Sequence, residues 1–335
     1  MVSPAALLDD GLLQAAVQQG LWSSHGVGAD LAYHLGMKLY PDGERTPEIV
    51  TWIERSVGSG ARCVRLDGMS ASWWFAEKHL VEVALGDGST KRFVLRRYHN
   101  AQRLAHDPWY DPANEALALR LLAGTPVPAP QLHATDLDAA VCGVPMLLES
   151  WLPGSPDWYP GDLDVYFARV AEVLVAIHAV SAPPGVELLR YAPYHEPQRI
   201  GSPANSTRPG LWERVADTLD RPRPAGRKTF IHRDYHPGNV LLDGTKVTGV
   251  VDWLTAALGP PGIDIARMRL NMAFHHGRNA ADRFVTAYVA AGGDPSARNP
   301  YWDLLDAADL VPDLSGETKI ALFEDYVAGV LAELG

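Results

Sequence analysis

The 335-residue chain is predicted to be an α+β protein in two lobes, a small antiparallel-sheet lobe followed by a mostly helical one. Three observations lead there. Between Arg62 and Glu149, short runs rich in Val, Leu and Phe alternate with Gly- and Asp-bearing turns around a single helical pattern. After Trp151-Leu152-Pro153-Gly154 the apolar period lengthens from two residues to 3.6. The length is great for one compact core and natural for two.

The elements follow in order. Residues 1–46 form an N-terminal extension of unassigned role, with helical periodicity over Ala5–Trp22 and a Gly-rich stretch over Ser23–Arg45. The first lobe is placed at 47–150. It opens with a helix from Pro47 to Val57, Pro suiting the first turn. Strands are expected at Arg62–Leu66, Trp73–Leu85 and Arg92–Arg96, with turns at Gly68–Ser72 and Gly86–Ser89. A helix over Ala113–Ala123, the extended Pro126–Pro130 segment, and strands at Gln131–Ala134 and Val144–Glu149 complete the lobe. The second lobe, 151–335, reads as helices at Leu163–His178, Leu211–Leu219, Ile263–Phe274, Ala281–Ala291, Leu304–Ala308 and Thr318–Leu334.

Composition narrows the function classes. Apolar residues make up 47% of the chain, enough for two cores, and the net charge is −11. That balance argues against a nucleic-acid partner, which calls for a basic face. Cys63 and Cys142 are the two cysteines; they support neither a disulfide framework nor a zinc cluster and are expected in apolar surroundings. No run of about 18 uncharged apolar residues exists, so no membrane span is expected. No Lys or Arg precedes Lys38 and Asp9-Asp10 interrupts the first apolar run, so no signal peptide is expected and the location is expected to be cytoplasmic. Oligomeric state is left open.

Chemistry concentrates in Ile231–Asp252. His232-Arg233-Asp234 is followed by Asn239 five positions after the Asp, and Asp252 closes an apolar run. An Asp that accepts a hydroxyl proton, with an Asn and a second Asp that hold Mg²⁺ on nucleotide phosphates, is the equipment of phosphoryl transfer. Val240–Leu242 and Val247–Val251 read as strands joined at Asp243-Gly244, a hairpin that brings Asn239 and Asp252 together. Each piece alone could be a surface turn or a helix cap; the joint pattern points to catalysis.

ATP needs a cover, a cation and an anchor for the cation. Gly68 to Ser72, including Gly68 and Ser70, is the candidate cover, and the absence of Gly-x-x-x-x-Gly-Lys-[Ser/Thr] sets a P-loop aside. Arg96 at the end of Phe93-Val94-Leu95 is the candidate cation and Glu115 its partner, with Arg97 facing the other way. The adenine is expected on Leu147–Leu152, including Glu149 and Trp151.

His232-Arg233-Asp234-Tyr235-His236-Pro237-Gly238-Asn239 with Val251-Asp252-Trp253 resembles the aminoglycoside phosphotransferase (choline kinase-like) family, small-molecule kinases with a protein-kinase-like fold. Phe93–Arg97, Asn114–Ala116, Pro126–Pro130, Leu148–Gly154, Ala176–Val180 and Gly259–Ala266 match it in order, so the resemblance covers about residues 60 to 310. It implies ATP or GTP, Mg²⁺ and a hydroxyl acceptor, with Asp234 as base, Asn239 and Asp252 as metal ligands, and Asp264 capping or bracing the helix it starts. Arg96 stands where that family usually carries Lys, and Leu254 where an acidic residue often follows. After Asp252 there is no Asp-Phe-Gly or Ala-Pro-Glu, which separates the chain from protein kinases.

The acceptor is a small hydroxyl compound, antibiotic or metabolite, possible recruits for an amine being Asp157, Asp162, Asp282, Asp303, Asp306 and Asp309. Trp158, Tyr159, Phe274, Tyr301 and Trp302 could stack on a sugar or a quaternary amine. A non-catalytic nucleotide-binding protein is the alternative that Arg96 leaves standing. No Gly-x-Ser-x-Gly elbow supports a hydrolase.

Overall fold

The computed structural model describes residues 46–70, 76–196, 201–311 and 317–334. The helix expected at Ala5–Trp22 and the rest of the N-terminal extension before Thr46 lie outside the described residues. The chain divides into two compact units, one holding the described residues up to Arg120 together with Pro130–Trp151, the other Leu121–Ala129 with the residues from Leu152 onward.

The first unit is built on a five-stranded antiparallel sheet: β1 (Arg62–Ser70), β2 (Glu77–Ala84), β3 (Thr90–Arg97), β4 (Leu132–Asp136) and β5 (Met146–Ser150), in the order β1-β2-β3-β5-β4. Helix α1 (Pro47–Val57) starts where Thr46 accepts a hydrogen bond from the Ile49 amide, with Pro47 in its first turn. Ile49 and Ile53, one helical turn apart, bury against Cys63, Leu66, Val81, Val83, Phe93, Leu95, Met146 and Leu148 on one sheet face. Each fully buried aliphatic side chain there contributes about 1.5–3 kcal/mol. Cys63 is buried and Cys142 half-buried, and neither forms a disulfide among the described residues.

Between β2 and β3 the turn forms as expected: Asp87 Oδ1 accepts from Ser89 N (2.9 Å), and Gly88 takes φ 84°. The expected Gly68–Ser72 turn is corrected in part. Pairing continues through Gly68↔His79 and Ser70↔Lys78, so Gly68 and Ser70 are strand residues; 71–75 lie outside the described residues. Helices α2 (Ala101–His106) and α3 (Pro112–Leu122) follow β3; α2 was not expected, its six residues being too short for a periodic signal.

The second unit contains α4 (Leu163–His178), α5 (Pro209–Leu219), α6 (Gly262–His276), α7 (Arg278–Ala290), α8 (Pro300–Leu310) and α9 (Glu317–Ala332). Asp162 caps α4 by accepting from the amides of Asp164 and Val165. Two small ladders join the helices: β6 (Thr229–Ile231) with β9 (Ala257–Gly259), and the hairpin β7 (Val240–Asp243) with β8 (Lys246–Val250). The hairpin turns at Gly244, φ 59°, where the Asp243-Gly244 signal placed it. Gly154 (φ 97°) crosses this hairpin so closely that a Cβ there would meet Leu242 O and Thr248 Oγ1, each at 2.6 Å. Among the described residues no helix is long and apolar enough to cross a membrane.

Candidate active site

The loop that carries the candidate base runs from β6 to β7 and is fixed from below. Asp264, fully buried in the first turn of α6, accepts from the backbone amides of His232 (2.9 Å) and Arg233 (2.6 Å) and lies 3.1 Å from His178 Nε2. It was expected to cap or brace its own helix; its carboxylate instead satisfies two buried donors of the neighbouring loop. Tyr235 Oη donates to Val170 O of α4 (2.7 Å), and Arg233 lies over the Tyr194 ring (3.7 Å) while donating to Ala192 O (2.7 Å).

Two non-glycine residues in this region adopt left-handed backbone, Arg233 (φ 72°) and Asp252 (φ 70°). Such conformations cost about 1–3 kcal/mol each and persist only where surrounding contacts hold them. Here the holding contacts cross between the two segments. Val251 N donates to Asn239 O (3.0 Å), and His232 Nε2 lies 3.0 Å from Val251 O. With His232 Nδ1 accepting from Asp234 N (3.2 Å), the ring proton belongs on Nε2. Trp253, fully buried, donates Nε1 to Val250 O (2.8 Å) and stacks on Phe230.

Asp234 and Asn239 meet directly: Asn239 Nδ2 donates to Asp234 O (2.9 Å) and Asp234 Oδ2 (3.2 Å). Those bonds fix the amide so that its oxygen is the group left for a cation. Among the described residues no cluster of three or more His, Cys, Asp or Glu is placed to hold a metal. Asn239 carries an amide oxygen and Asp252 a carboxylate, donor types that Mg²⁺ takes when phosphates and water complete its shell.

The Asp234 side chain is 37% exposed. Burial works to raise its pKa, but His236 (Nε2 3.5 Å from Oδ2) and Arg267 (Nε 3.5 Å from Oδ1) outweigh it and hold the carboxyl well below its ordinary range. Arg267 also reaches Asp306 Oδ1 with Nη2 (3.2 Å). Neither His236 nor Arg267 was assigned a role from sequence. Arg267 carried a usable signal: it lies three positions after Asp264, on the helix face that meets the loop.

Beside His236 stands a wall of rings. Trp158 lies 5.7 Å from His236 and 5.0 Å from His275, centroid to centroid, and Tyr159 Oη is 3.1 Å from His275 Nδ1. His276 Nε2 is 2.8 Å from Trp158 O. The His275-His276 pair at the end of α6 is thus half-buried against aromatics. Tyr301 and Trp302 are core residues, and Phe274 packs on Phe323.

The acidic candidates are engaged elsewhere. Asp303 and Asp282 pair with Arg269 (2.8 and 2.9 Å), Asp306 with Arg267, and Asp309 accepts from the amides of Tyr194 and His195. Asp162 is the α4 cap, and Asp157 accepts from Tyr159 N (3.1 Å).

In the sheet unit, Arg96 and Glu115 form a buried ion pair at 3.1 Å, both side chains 1% exposed. Tyr98 bridges them: its hydroxyl accepts from Arg96 Nε (3.2 Å) and donates to Glu115. Tyr98 was missed because a tyrosine two residues beyond the cation carries no motif. Arg97 faces the other side and meets Glu77 at 3.3 Å. Register sets Ser70, Lys78, Arg96 and Leu147 in one row across four strands, which leaves Ser70 about 10 Å from Arg96 at ordinary strand spacing. Gly68 falls in a different row, opposite His79. Glu149 is buried mid-sheet between β3 and β4, and the Trp151 amide already donates to Arg92 O (3.2 Å).

Comparison with known proteins bears on the fold and the family. A macrolide 2'-phosphotransferase type I shares the fold with TM-score 0.55 at 22% identity, over 87% of this chain and 98% of that one. A thermostable mutant of the aminoglycoside phosphotransferase APH(4)-Ia, in a ternary complex with ADP and hygromycin B, superposes with TM-score 0.57 at 18% identity, over 84% of this chain and 97% of that one. An N-acetylmuramate/N-acetylglucosamine kinase of Pseudomonas aeruginosa is 29% identical over 160 residues, a stretch spanning 43% of this chain and only 45% of that relative's length. The phosphotransferase enzyme family (APH) matches residues 80–306, about two thirds of the sequence with Asp234, Asn239 and Asp252 inside the match; the chain belongs to that family.

Proposed function

We propose that the protein is an ATP-dependent kinase that transfers the γ-phosphoryl group to a hydroxyl of a small, sugar-like molecule, with Asp234 as the group that receives the hydroxyl proton. One observation carries the reading: a carboxylate kept ionised by His236 and Arg267, partly open, and hydrogen-bonded to the Asn five positions on. Family membership and a relative named as an aminosugar kinase support it.

The low pKa shapes the mechanism. Asp234 is a weak base toward a neutral alcohol, so it orients the hydroxyl through a hydrogen bond and takes the proton late, once bonding to phosphorus has acidified the oxygen. A loose phosphoryl-transfer transition state needs little more than that. Mg²⁺ on Asn239 and Asp252 would neutralise phosphate charge when bound. In the sheet unit, Arg96, aimed by Glu115 and Tyr98, is assigned to nucleotide phosphate, and Glu149 with Trp151 to the base; Gly68 and Ser70 lie on the strand that leads into the assigned cover. GTP could replace ATP without altering these roles.

The acceptor is read from the wall beside His236. The six candidate acids are taken up by arginines, backbone amides or a helix cap, which argues against a polycationic acceptor held by carboxylates. Trp158 and Tyr159 offer ring faces to a sugar instead. The test is ADP release from Mg·ATP and Mg·GTP across neutral sugars, N-acetylated amino sugars, aminoglycosides, macrolides and choline, with Asp234→Ala as blank. A sugar hit that vanishes in the blank, and whose KM rises in Trp158→Ala, is expected. Turnover that survives Asp234→Ala would overturn the assignment.

A further inference from the structure

We propose that the helical unit carries a second, anion-binding site for a small phosphate-bearing molecule, at the end of the β6–β9 ladder away from Asp234. A cleft of about 280 Å³ opens there, near the lower end of small-ligand sites. Four cations line it: Arg190, Arg223, Arg227 and Lys228. Tyr191 and the largely buried Trp302 form an apolar wall.

Charge makes the cleft unusual. The chain carries 40 acidic against 29 basic residues, and most of its well-placed arginines are matched to a carboxylate. Among the described residues none of these four forms a salt bridge; the one acid at the rim, Asp294, accepts from Ser296 N (2.8 Å) and Ser296 Oγ (2.7 Å) and lies within the field of Arg227, while Arg223 hydrogen-bonds the Tyr301 hydroxyl, so the cleft keeps a net excess of positive charge. Four like charges around one concavity repel one another, a penalty that a dianion removes. Guanidinium forks match phosphate oxygens in pairs, while the aromatic wall suits a carbon skeleton. A monocarboxylate would leave most of that charge unmatched, and a whole nucleotide is large for the volume.

The cleft adjoins the base loop through the backbone. Lys228 precedes β6, which ends at the residue before His232, and Gly259-Pro260-Pro261 leads into the helix that holds Asp264. Tyr191 on the wall also lies 5.5 Å from the Arg233 guanidinium. Occupation would therefore reach the loop without touching the reacting groups.

The test is calorimetric titration of the full chain with inorganic phosphate, glucose 6-phosphate and glucose, repeated on Arg227→Gln/Lys228→Gln and on Arg223→Gln. Both sets change exposed side chains, and thermal melts check that they stay folded. The expected result is binding of a phosphorylated probe that weakens about tenfold or more in the variants, with no binding of glucose at this site and unchanged basal turnover. Tighter binding of glucose 6-phosphate than of phosphate would identify a phosphomonoester as the ligand; equal binding would identify free phosphate. No heat in the wild type at 10 mM probe (about 2.7 kcal/mol of affinity), or equal affinity in wild type and variants, would overturn the proposal.

Discussion

The Arg267 guanidinium stands against the Asp234 carboxylate, Nε 3.5 Å from Oδ1, and its far end is held by Asp306 at 3.2 Å. The proposed base is thus aimed by a cation that is itself anchored on α8. Arg267→Met should lower kcat about 10–100-fold with the nucleotide KM within about threefold, the mark of an interaction that acts on the reacting group. Arg267→Lys should recover part of the loss at the same melting temperature. Steady-state kinetics on both variants, with melts alongside, checks this; equal kcat in wild type and Arg267→Met would remove the role.

Asp306 predicts a pH effect on stability. Burial, opposed by Arg267 and aided by Asp309, pushes its carboxyl up to about 7. The folded state therefore holds this proton more tightly than the unfolded chain, whose Asp titrates near 4. Stability from this group is present below pH 4 and declines as pH rises to about 7, then levels. Melting temperatures at pH 5 and pH 8 should fall across that interval by less in Asp306→Asn than in the wild type, by a few degrees. An identical fall in both proteins would count against the raised value.

Asp264→Ala removes the acceptor for two buried backbone amides and leaves both unsatisfied. Each carries about 1–3 kcal/mol, so urea unfolding should show a loss of about 3 kcal/mol or more. Turnover should drop as well, since the same amides position Asp234. A loss below about 1 kcal/mol would mean that water replaces the carboxylate.

Glu115→Ala should destabilise the sheet unit by about 3–5 kcal/mol, because Arg96 is then a buried charge without its carboxylate. The double variant Arg96→Met/Glu115→Leu should restore much of the stability while leaving turnover impaired. Recovery of both would separate the pair from catalysis.

These relationships were unequally legible in the sequence. The base loop and its hairpin were readable because the chemistry sits within 22 consecutive residues and Asp243-Gly244 fixes the turn. Arg96 and Glu115 met as expected because strand and helix periods each put one side chain on the required face. The β6–β9 ladder escaped notice: three-residue strands carry no periodic signal. The acids of α8 were ambiguous for another reason. Asp303, Asp306 and Asp309 recur every three residues, a pattern equally suited to a solvated face and to a buried one; Arg267 and Arg269 on α6 and the amides of Tyr194 and His195, all distant in sequence, make it the latter. Gly68 and Ser70 looked like a turn since small residues mark turns, yet they pair with His79 and Lys78, with an irregularity at Met69 between them.

Gly154 touches none of the reacting groups, yet its backbone lies against the carbonyl of Leu242 and the hydroxyl of Thr248. A methyl group there would wedge the β7–β8 hairpin away from the segment that crosses it, and that hairpin runs from Asn239 at one end to Asp252 at the other. In a screen for inactive variants, position 154 should therefore cluster with the base loop despite lying 80 residues upstream of Asp234 in the chain. Such a map would report loss of alignment where a list of chemically reactive side chains reports nothing.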